Sequence, residues 1–325
     1  MNIKGKVLLV ATLIILAILS YSLSFGKSHP DISLPNPDYA VNIDKGIAYK
    51  KNNFSQDSLR LDVYRSPGKP ARKRPVIIYL HGGAWSQGSK SLINNNFREF
   101  VLAELVKNNF IVLSADYTLL NDNVHLEKSL QDVRDLLSWI KLNADRYQFD
   151  TENVGLWGGS SGGHLALLTA YQNQEMPVQP KFVIDFFAPT DLRKFFRTDA
   201  NSFFLQVFKW QNLDAYNLRT QKIRELTGFD IFRQQEAAQE KCIAYSPVQY
   251  IGKNTVPTLI FQGDDDKVVD VSQSHLLAEK LSENKVDHQL HIIKDARHAF
   301  TNITLEEARD IAKKTLDFAK IHTEK

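Results

Sequence analysis

The chain has 325 residues, of which 43% are hydrophobic and 24% charged, and its formal net charge is +3. This is the composition of an ordinary globular protein and gives no sign of long disordered tracts. A charge so close to neutral does not indicate a nucleic-acid partner. The length is ample for a buried sheet and allows one large domain or two small ones.

The N-terminus carries a short basic region followed by an apolar run from Val7 to Leu19. This arrangement predicts a secretory signal peptide over residues 1–26. The alternative is a membrane anchor, because Tyr21 and Phe25 extend the apolar stretch to a length that can just span a bilayer. Either reading predicts an exported protein, which is periplasmic or secreted, or anchored facing the extracytoplasmic side. The rest of the chain, 27–325, is predicted to form one domain.

The chain has a single cysteine, Cys242, which excludes an internal disulfide. The folded state must therefore rely on its apolar core, which this length allows. We predict that Cys242 is a buried packing residue and not a nucleophile.

In the first half of the chain, segments with the apolar pattern of a strand alternate with segments with the apolar pattern of a helix. Two segments with strand character come first, and buried strands then alternate with amphipathic helices. This alternation predicts an α/β fold with a mostly parallel sheet covered by helices on both faces. The predicted strands are Ile43–Tyr49, Leu59–Tyr64, Val76–Leu80, Phe110–Ala115 and Val154–Trp157, and the helices are Asn94–Lys107 and Leu126–Ile140.

The second half continues this pattern but is interrupted by a long aromatic-rich insertion. The insertion, at about 192–245, has no clear buried strand and is predicted to be a helical cap over the carboxyl edge of the sheet. Such aromatic residues more often pack on the core than bind a ligand one by one. The remaining strands are predicted at Phe182–Phe187, Thr258–Gln262 and Asp287–Ile293, and the helices at Gln273–Leu281 and Leu305–Ile321.

A knot of four glycines and two serines joins the strand at Val154 to the next helix. The pattern G-x-S-x-G predicts a nucleophile elbow, in which a serine is held on a strained turn above the sheet. Two frames fit, and we favour Ser160 as the nucleophile, with the backbone N–H of Ser161 facing the oxyanion. The alternatives are a plain glycine turn or a phosphate-binding loop, although the lysine that a phosphate loop requires is replaced by His164.

A serine nucleophile needs a base, and nine histidines compete for that role. His298 alone lies in the loop just past the last predicted strand, from which a side chain can reach Ser160. His81 is expected to brace the loop in which it lies. Structural roles or no strand-end context are expected for His29, His125, His164, His275, His288, His291 and His322.

The base needs a carboxylate to orient it, and four aspartates crowd the loop after the Thr258 strand. We choose Asp266, with Asp264 second, because Asp264 is expected to fix the turn by accepting from backbone amides. The cluster also suggests calcium, yet its spacing lacks the glycine and the terminal glutamate of an EF-hand loop. No metal is therefore expected.

Glycines directly after the Val76 strand expose backbone amides that suit an oxyanion. Gly82, Gly83 and Ala84, together with Ser161, are the predicted oxyanion-hole residues. Trp85, which follows them, is predicted to contact the substrate.

Five motifs stand in a characteristic order: H-G-G-A-W at 81–85, D-Y-T-L at 116–119, G-G-S-S-G-G-H-L-A at 158–166, G-D-D-D-K-V-V at 263–269 and A-R-H-A-F at 296–300. In this order they resemble the α/β-hydrolase fold, and specifically the esterase and lipase group with the H-G-G-x-W motif. The resemblance implies a catalytic triad of Ser160, Asp266 and His298 and no cofactor. The chain departs from the family pattern at Thr118, Gln262 and Arg297, and none of these changes removes a catalytic group.

The function expected from these features is hydrolysis of carboxylic esters of small molecules through an acyl-enzyme. An amide hydrolase similar to the arylformamidases is the alternative, although an export signal speaks against a role in cytoplasmic tryptophan breakdown. A third reading is a catalytically inactive binding module on the same fold, which would normally lack one member of the triad.

Overall fold

The computed structural model describes residues 31–51, 58–172 and 175–323. The predicted signal or anchor at 1–26 lies outside these residues. None of the helices in the described ranges has the length and apolar character needed to cross a bilayer. The described residues from Ser33 onward belong to one compact unit.

Within the described ranges, eight strands form one sheet in the order β1-β2-β4-β3-β5-β6-β7-β8. The pairs β1–β2 and β2–β4 are antiparallel, and all the other neighbouring strands are parallel. The sheet is therefore mostly parallel, as the sequence predicted. Its strands are β1 Asn42–Lys51, β2 Ser58–Arg65, β3 Arg74–Leu80, β4 Ile111–Ala115, β5 Phe149–Gly159, β6 Phe182–Phe186, β7 Thr258–Gly263 and β8 His288–Ile293.

The α-helices of the described residues connect these strands and follow the last one. They are α1 Phe97–Lys107, α2 Leu126–Leu142, α3 Ala144–Tyr147, α4 Ser161–Tyr171, α5 Leu192–Phe196, α6 Ser202–Gln211, α7 Leu213–Thr227, α8 Gln235–Ala244, α9 Ser272–Glu283 and α10 Leu305–Thr323. Short 3₁₀ turns occur at Lys90–Asn94, Pro247–Tyr250 and His298–Phe300.

The residues of β3 show why both faces of the sheet are covered. Successive side chains of a strand point to opposite faces. Val76 and Ile78 belong to one apolar cluster, which includes residues of α2 and α4, whereas Ile77 and Tyr79 belong to a second cluster, which includes residues of α1 and α10. A continuous apolar run is therefore a strand buried on both sides.

The predicted helix at Asn94–Lys107 starts later in the structure, at Phe97. Asn96 has a φ angle of 57°, which a right-handed helix does not contain. The preceding residues form the separate 3₁₀ turn Lys90–Asn94. The four-residue apolar interval predicted the helix correctly, but it could not predict the positive φ angle at Asn96 that sets where the helix starts.

The insertion between β6 and β7 consists of α5 to α8. Part of it is buried: Phe196 is 5% exposed and Ile223 is fully buried. The aromatic residues of α6 do not follow this pattern, because Phe203 and Trp210 are 70% and 84% exposed. The insertion therefore packs on the core only in part.

Candidate active site

The sharp turn between β5 and α4 has Ser160 at its apex. Ser160 has φ 54° and ψ −123°, a combination that costs free energy for a residue with a side chain. Its backbone N–H donates to the carbonyl of Phe186 at 2.8 Å, which fixes the turn to the end of β6. Ser161 is the first residue of α4, and its hydroxyl is buried. The geometry thus distinguishes the two frames of G-x-S-x-G: Ser160 is half-buried at the apex and Ser161 is enclosed.

Two glycines allow the elbow to pack this closely. A Cβ atom placed on Gly162 would lie 2.0 Å from the carbonyl oxygen of Leu80, and one on Gly158 would lie 2.3 Å from the backbone of Gly162. No side chain fits at either distance. The helix therefore passes directly over the strand ends, as a nucleophile elbow requires.

The side chains of Ser160, His298 and Asp266 form a continuous hydrogen-bonded chain. His298 Nε2 lies 3.1 Å from Ser160 Oγ, and His298 Nδ1 lies 2.7 Å from Asp266 Oδ2. Because a carboxylate only accepts, Nδ1 carries the proton, and Nε2 is left to accept from the serine hydroxyl. The Asp266 side chain is 1% exposed and that of His298 is 21% exposed, so the imidazole is reachable from solvent and the carboxylate is not.

The buried carboxylate of Asp266 has a full set of donors. Its Oδ1 accepts from the backbone N–H groups of Val268 and Val269, at 2.8 and 2.9 Å. Its Oδ2 accepts from Gln262 Nε2 at 3.0 Å as well as from His298. The Gln262 side chain is itself held by the hydroxyl of Ser274 at 3.0 Å. These bonds fix the orientation of the carboxylate.

The other aspartates of this loop have local structural partners. Asp264 Oδ1 accepts from the backbone N–H of Asp295 at 2.5 Å, which ties the turn after β7 to the loop that carries His298. Asp265 pairs with Lys267, and Asp270 accepts a backbone hydrogen bond at the start of α9. Asp264 thus fixes the turn, as predicted. Among the described residues there is no His, Cys, Asp or Glu cluster suited to a metal ion.

Phe187 packs against the imidazole of His298, with 5.0 Å between the ring centroids. Its own φ angle is 48°, and its backbone N–H donates to the carbonyl of Phe261. The ring centroid of Phe300 lies 4.8 Å from that of Phe187. The imidazole of His298 is thus packed against Phe187 as well as hydrogen-bonded to Asp266. Nothing in the sequence separated Phe187 from the other apolar residues of the predicted strand Phe182–Phe187.

The loop after β3 lies directly against the elbow. A Cβ atom on Gly82 would lie 3.0 Å from the carbonyl of Gly159. Gly83 and Ala84 have φ angles of 130° and 50°, so the loop turns sharply there. Hydrogen bonds from the backbone N–H groups of Gly83, Ala84 and Ser161 to other described residues are absent, which leaves these donors available to a ligand.

His81 and Tyr117 brace this loop from behind. Their rings stack at 4.2 Å, and the Tyr117 hydroxyl donates to the carbonyl of His81 at 2.8 Å. His81 Nδ1 lies 2.9 Å from the carbonyl oxygen of Gly82, and burial lowers the pKa of His81. A neutral His81 therefore supports the loop, in agreement with the sequence prediction.

Trp85 was predicted to contact the substrate, and the structure places its side chain in the core, 3% exposed. Its indole N–H donates to His164 Nδ1 at 3.2 Å. His164 Nε2 in turn donates to the carbonyl of Tyr245 at 2.7 Å, and burial lowers the pKa of His164 to about 4. The Trp85 indole thus links the loop after β3 to the elbow helix and to the end of the insertion.

A lysine of the insertion contacts the loop after β3. Lys222 Nζ donates to the hydroxyl of Ser86 and forms an ion pair with Glu225 at 2.6 Å. Both charged side chains are nearly buried, at 9% and 6% exposure. The helix α7 is thereby connected to the residue that follows Trp85. The sequence offered no signal for this contact, since the two partners are 136 positions apart.

Among the described residues, His298 is the histidine within hydrogen-bond distance of Ser160. The others have different surroundings, and His29 lies outside the described ranges. Cys242 is fully buried, and burial raises the pKa of its thiol to about 12, so it is a packing residue. Structural partners are seen for His125, whose Nδ1 lies near the Glu225 carbonyl, His288, near the Val286 carbonyl, His291, stacked on Phe261, and His322, near Asp287.

The sheet with its strained serine turn and its loop contacts defines the α/β-hydrolase fold. The BD-FAE family model matches residues 61–281. The chain therefore belongs to the BD-FAE family.

Curated relatives of this chain include two proteins of Mycobacterium tuberculosis. Esterase LipC is 25% identical over 221 residues, which cover 68% of this chain and 51% of the relative. Esterase LipQ is 25% identical over 262 residues, which cover 79% of this chain and 58% of the relative. The chain thus spans between half and three fifths of the length of these relatives.

Solved structures show the same fold at low sequence identity. A truncated carbohydrate esterase from gut microbiota superposes with a TM-score of 0.66 at 17% identity, over 88% of this chain and 99% of that one. Esterase B from Lactobacillus rhamnosis superposes with a TM-score of 0.68 at 18% identity, over 99% of this chain and 96% of that one. These likenesses extend over nearly the whole length of both structures.

Proposed function

We propose that this protein is a serine hydrolase that cleaves carboxylic esters through an acyl-enzyme. The observation that carries this proposal is the hydrogen-bonded chain from Ser160 through His298 to Asp266, with the serine at a strained apex beside free backbone donors. Membership of the BD-FAE family and the names of the relatives support an ester as the bond that is cleaved.

In the acylation half of the proposed reaction, Ser160 Oγ attacks the ester carbonyl while His298 Nε2 takes the hydroxyl proton. The negative charge that develops on the carbonyl oxygen is met by the N–H groups of Gly83, Ala84 and Ser161. Each such donor is worth about 3–4 kcal/mol in the transition state. His298 then returns the proton to the departing alkoxide, so that an alcohol leaves and the acyl group remains on Ser160.

In the deacylation half, a water molecule replaces the alcohol. His298 removes one proton from this water, and the resulting oxygen nucleophile attacks the acyl carbon. The bond to Ser160 Oγ breaks, and His298 returns the proton to the serine. Asp266 stays hydrogen-bonded to His298 Nδ1 and stabilises the imidazolium, a role for which its backbone donors orient it.

The test compares Ser160→Ala with Ser161→Ala on p-nitrophenyl acetate. We expect Ser160→Ala to lose nearly all turnover and to escape labelling by a fluorophosphonate probe, with an unchanged circular dichroism spectrum. Ser161→Ala keeps the backbone donor and the nucleophile, so we expect it to be labelled. A folded protein that the probe does not label would instead be a binding module, and labelling of Ser160→Ala would move the nucleophile.

The competing amide-hydrolase activity is separated by substrate choice. We expect higher kcat/KM on acetylated or feruloylated sugars than on N-formylkynurenine, because the named relatives are esterases. The opposite order of rates would assign the chain to amide hydrolysis.

We also propose that the protein is exported, because residues 1–26 have the charge and apolar pattern of a signal peptide or an anchor. Intact mass of the native protein distinguishes the two, since cleavage removes about two dozen residues. Recovery of the full-length chain in the cytoplasmic fraction would contradict export.

A further inference from the structure

A cavity of about 510 Å³ lies at the edge of the sheet opposite to the edge that carries Ser160, Asp266 and His298. Arg74 begins β3, Ile111 begins β4, and Gln148 directly precedes β5, so the cavity opens at the amino ends of these strands. Ser160 follows the carboxyl end of β5. The cavity is thus separated from the elbow by the length of the parallel strands.

Positive charge predominates in this cavity. Three arginines line it, Arg65, Arg74 and Arg146, against a single acidic residue, Asp44. Asp44 is engaged by Arg65, at 2.7 and 3.3 Å. Within the described ranges, neither of the other two arginines has an ion pair with a carboxylate. Two cationic side chains therefore face the cavity without a compensating charge.

Arg74 is buried, with 6% of its surface exposed, which is rare for an arginine without a counter-ion. Its terminal nitrogens donate to neutral oxygens, at 3.1–3.2 Å on Ser66 and 3.4 Å on Gly68. Its Nε atom is buried and has no partner among the described residues. Burial, together with the charge of Arg65, lowers the pKa of Arg74. An anion in the cavity would relieve both the charge and the unsatisfied donor.

The rest of the lining is apolar or aromatic. Ile47 and Ile111 contribute aliphatic surface, and the ring of Tyr147 carries the Arg146 guanidinium at 5.2 Å from its centroid. Arg146 is exposed, so its guanidinium can turn toward a ligand without breaking an ion pair. A volume of this size is typical of a site for a small molecule. Charged groups next to apolar walls favour a ligand that has both parts.

We propose that this cavity binds a small organic carboxylate, whose oxygens are held by Arg74 and Arg146 and whose apolar body lies against Ile47, Ile111 and Tyr147. The site is distinct from the elbow and does not rest on the proposed function. Planar guanidinium groups match a carboxylate better than any other side chain does. A mineral oxyanion such as phosphate would leave the apolar walls unused.

The test is isothermal titration of the full chain with benzoate at low ionic strength. We expect one saturable site per chain, no binding of the neutral isostere benzamide, and weak competition by inorganic phosphate. Arg146→Gln should weaken benzoate binding roughly tenfold or more, since it removes a charge-assisted contact. Because Arg146 is exposed, this variant is expected to fold normally.

Arg309→Gln is the matched control, because it makes the same charge change at an exposed position on α10, far in sequence from the cavity. It should leave benzoate binding unchanged. Arg74→Lys keeps the charge but loses the fork geometry, and should also weaken binding, with folding checked by thermal melting. The proposal is overturned by the absence of saturable binding, by undiminished binding in Arg146→Gln, or by equal affinity for phosphate.

Discussion

The side-chain amide of Gln262 donates to Oδ2 of Asp266 at 3.0 Å, on the same oxygen that His298 approaches. It also donates to the carbonyl of Val269 at 3.1 Å, so Gln262 joins the carboxylate to the turn that carries it. Gln262 is therefore placed to position the Asp266 carboxylate.

We expect Gln262→Leu to lower kcat on p-nitrophenyl acetate roughly tenfold with little change in KM, because the carboxylate loses a donor that fixes its orientation. Ser274→Ala, which removes only the hydroxyl behind Gln262, is the graded control and should have a smaller effect. A rise in KM with constant kcat would show that Gln262 acts on substrate binding instead.

Asp266 and Asp264 lie two residues apart and bind different groups of the loop after β8, the imidazole of His298 and the backbone N–H of Asp295, which makes them a matched pair. Asp266→Asn should lower kcat by about 10⁴-fold, since an amide favours the wrong imidazole tautomer. Asp264→Asn keeps an oxygen that can accept from Asp295 and should retain most activity. Steady-state kinetics at pH 7 decides between them, and equal losses would contradict the assignment of the acid.

A methyl group at Gly162 should be severe, because a Cβ atom would lie 2.0 Å from the Leu80 carbonyl. Gly162→Ala is expected to displace the elbow helix, with loss of fluorophosphonate labelling and a lower melting temperature. Gly252 has nothing within 4 Å of the corresponding position, so Gly252→Ala should change stability by about 0.5 kcal/mol or less. Similar melting temperatures for the two variants would contradict this packing.

The buried pair of Lys222 and Glu225 predicts a non-additive result. Lys222→Met leaves the Glu225 carboxylate buried without its partner and should cost about 3–5 kcal/mol of unfolding free energy. Adding Glu225→Gln removes the uncompensated charge and should recover most of that loss. Urea unfolding of both single variants and the double variant measures the coupling, and simple additivity would contradict it.

Asp185, in β6, is fully buried, and burial raises its pKa to about 8. The folded protein thus holds this proton to higher pH than the unfolded chain does. The contribution of the group to stability is fully present below about pH 4 and is lost as the pH rises toward 8.

Asp185→Asn cannot titrate, so its stability relative to the unmodified protein should increase by up to about 1.4 kcal/mol for each pH unit between 4 and 8. Urea unfolding at pH 5, 6, 7 and 8 tests this slope. Asp317→Asn, at an exposed position on α10, is the control for loss of a surface carboxylate. A difference between Asp185→Asn and the unmodified protein that does not vary with pH would contradict the shifted pKa.

Many of the strands and helices were predictable because they depend on local apolar patterns in the sequence. The run Val76–Leu80 is apolar without interruption, which identifies a strand buried on both faces wherever it lies in the sheet. The order of the strands in the sheet was not predictable in this way, because the placement of β4 between β2 and β3 depends on how distant segments pair. No local period encodes such pairing.

The proximity of the site residues was predictable for a related reason. Ser160, Asp266 and His298 each follow the end of a parallel strand, and such ends meet at one edge of the sheet. The contacts that support these residues do not follow from strand ends and were not predictable. Phe187 and Gln262 are ordinary strand residues by pattern, and their roles arise from packing that only the folded chain creates.

The hydrogen bond between His298 and Ser160 joins positions 138 residues apart, across three neighbouring parallel strands that follow β5. Pairing of strands so distant in sequence is slow compared with helix formation, because loop closure must come first. During refolding from urea, recovery of esterase turnover should therefore trail the recovery of helical signal. Under the proposed function, activity requires β6, β7 and β8 to be paired in the sheet, so a partly folded chain with complete helices would be inert.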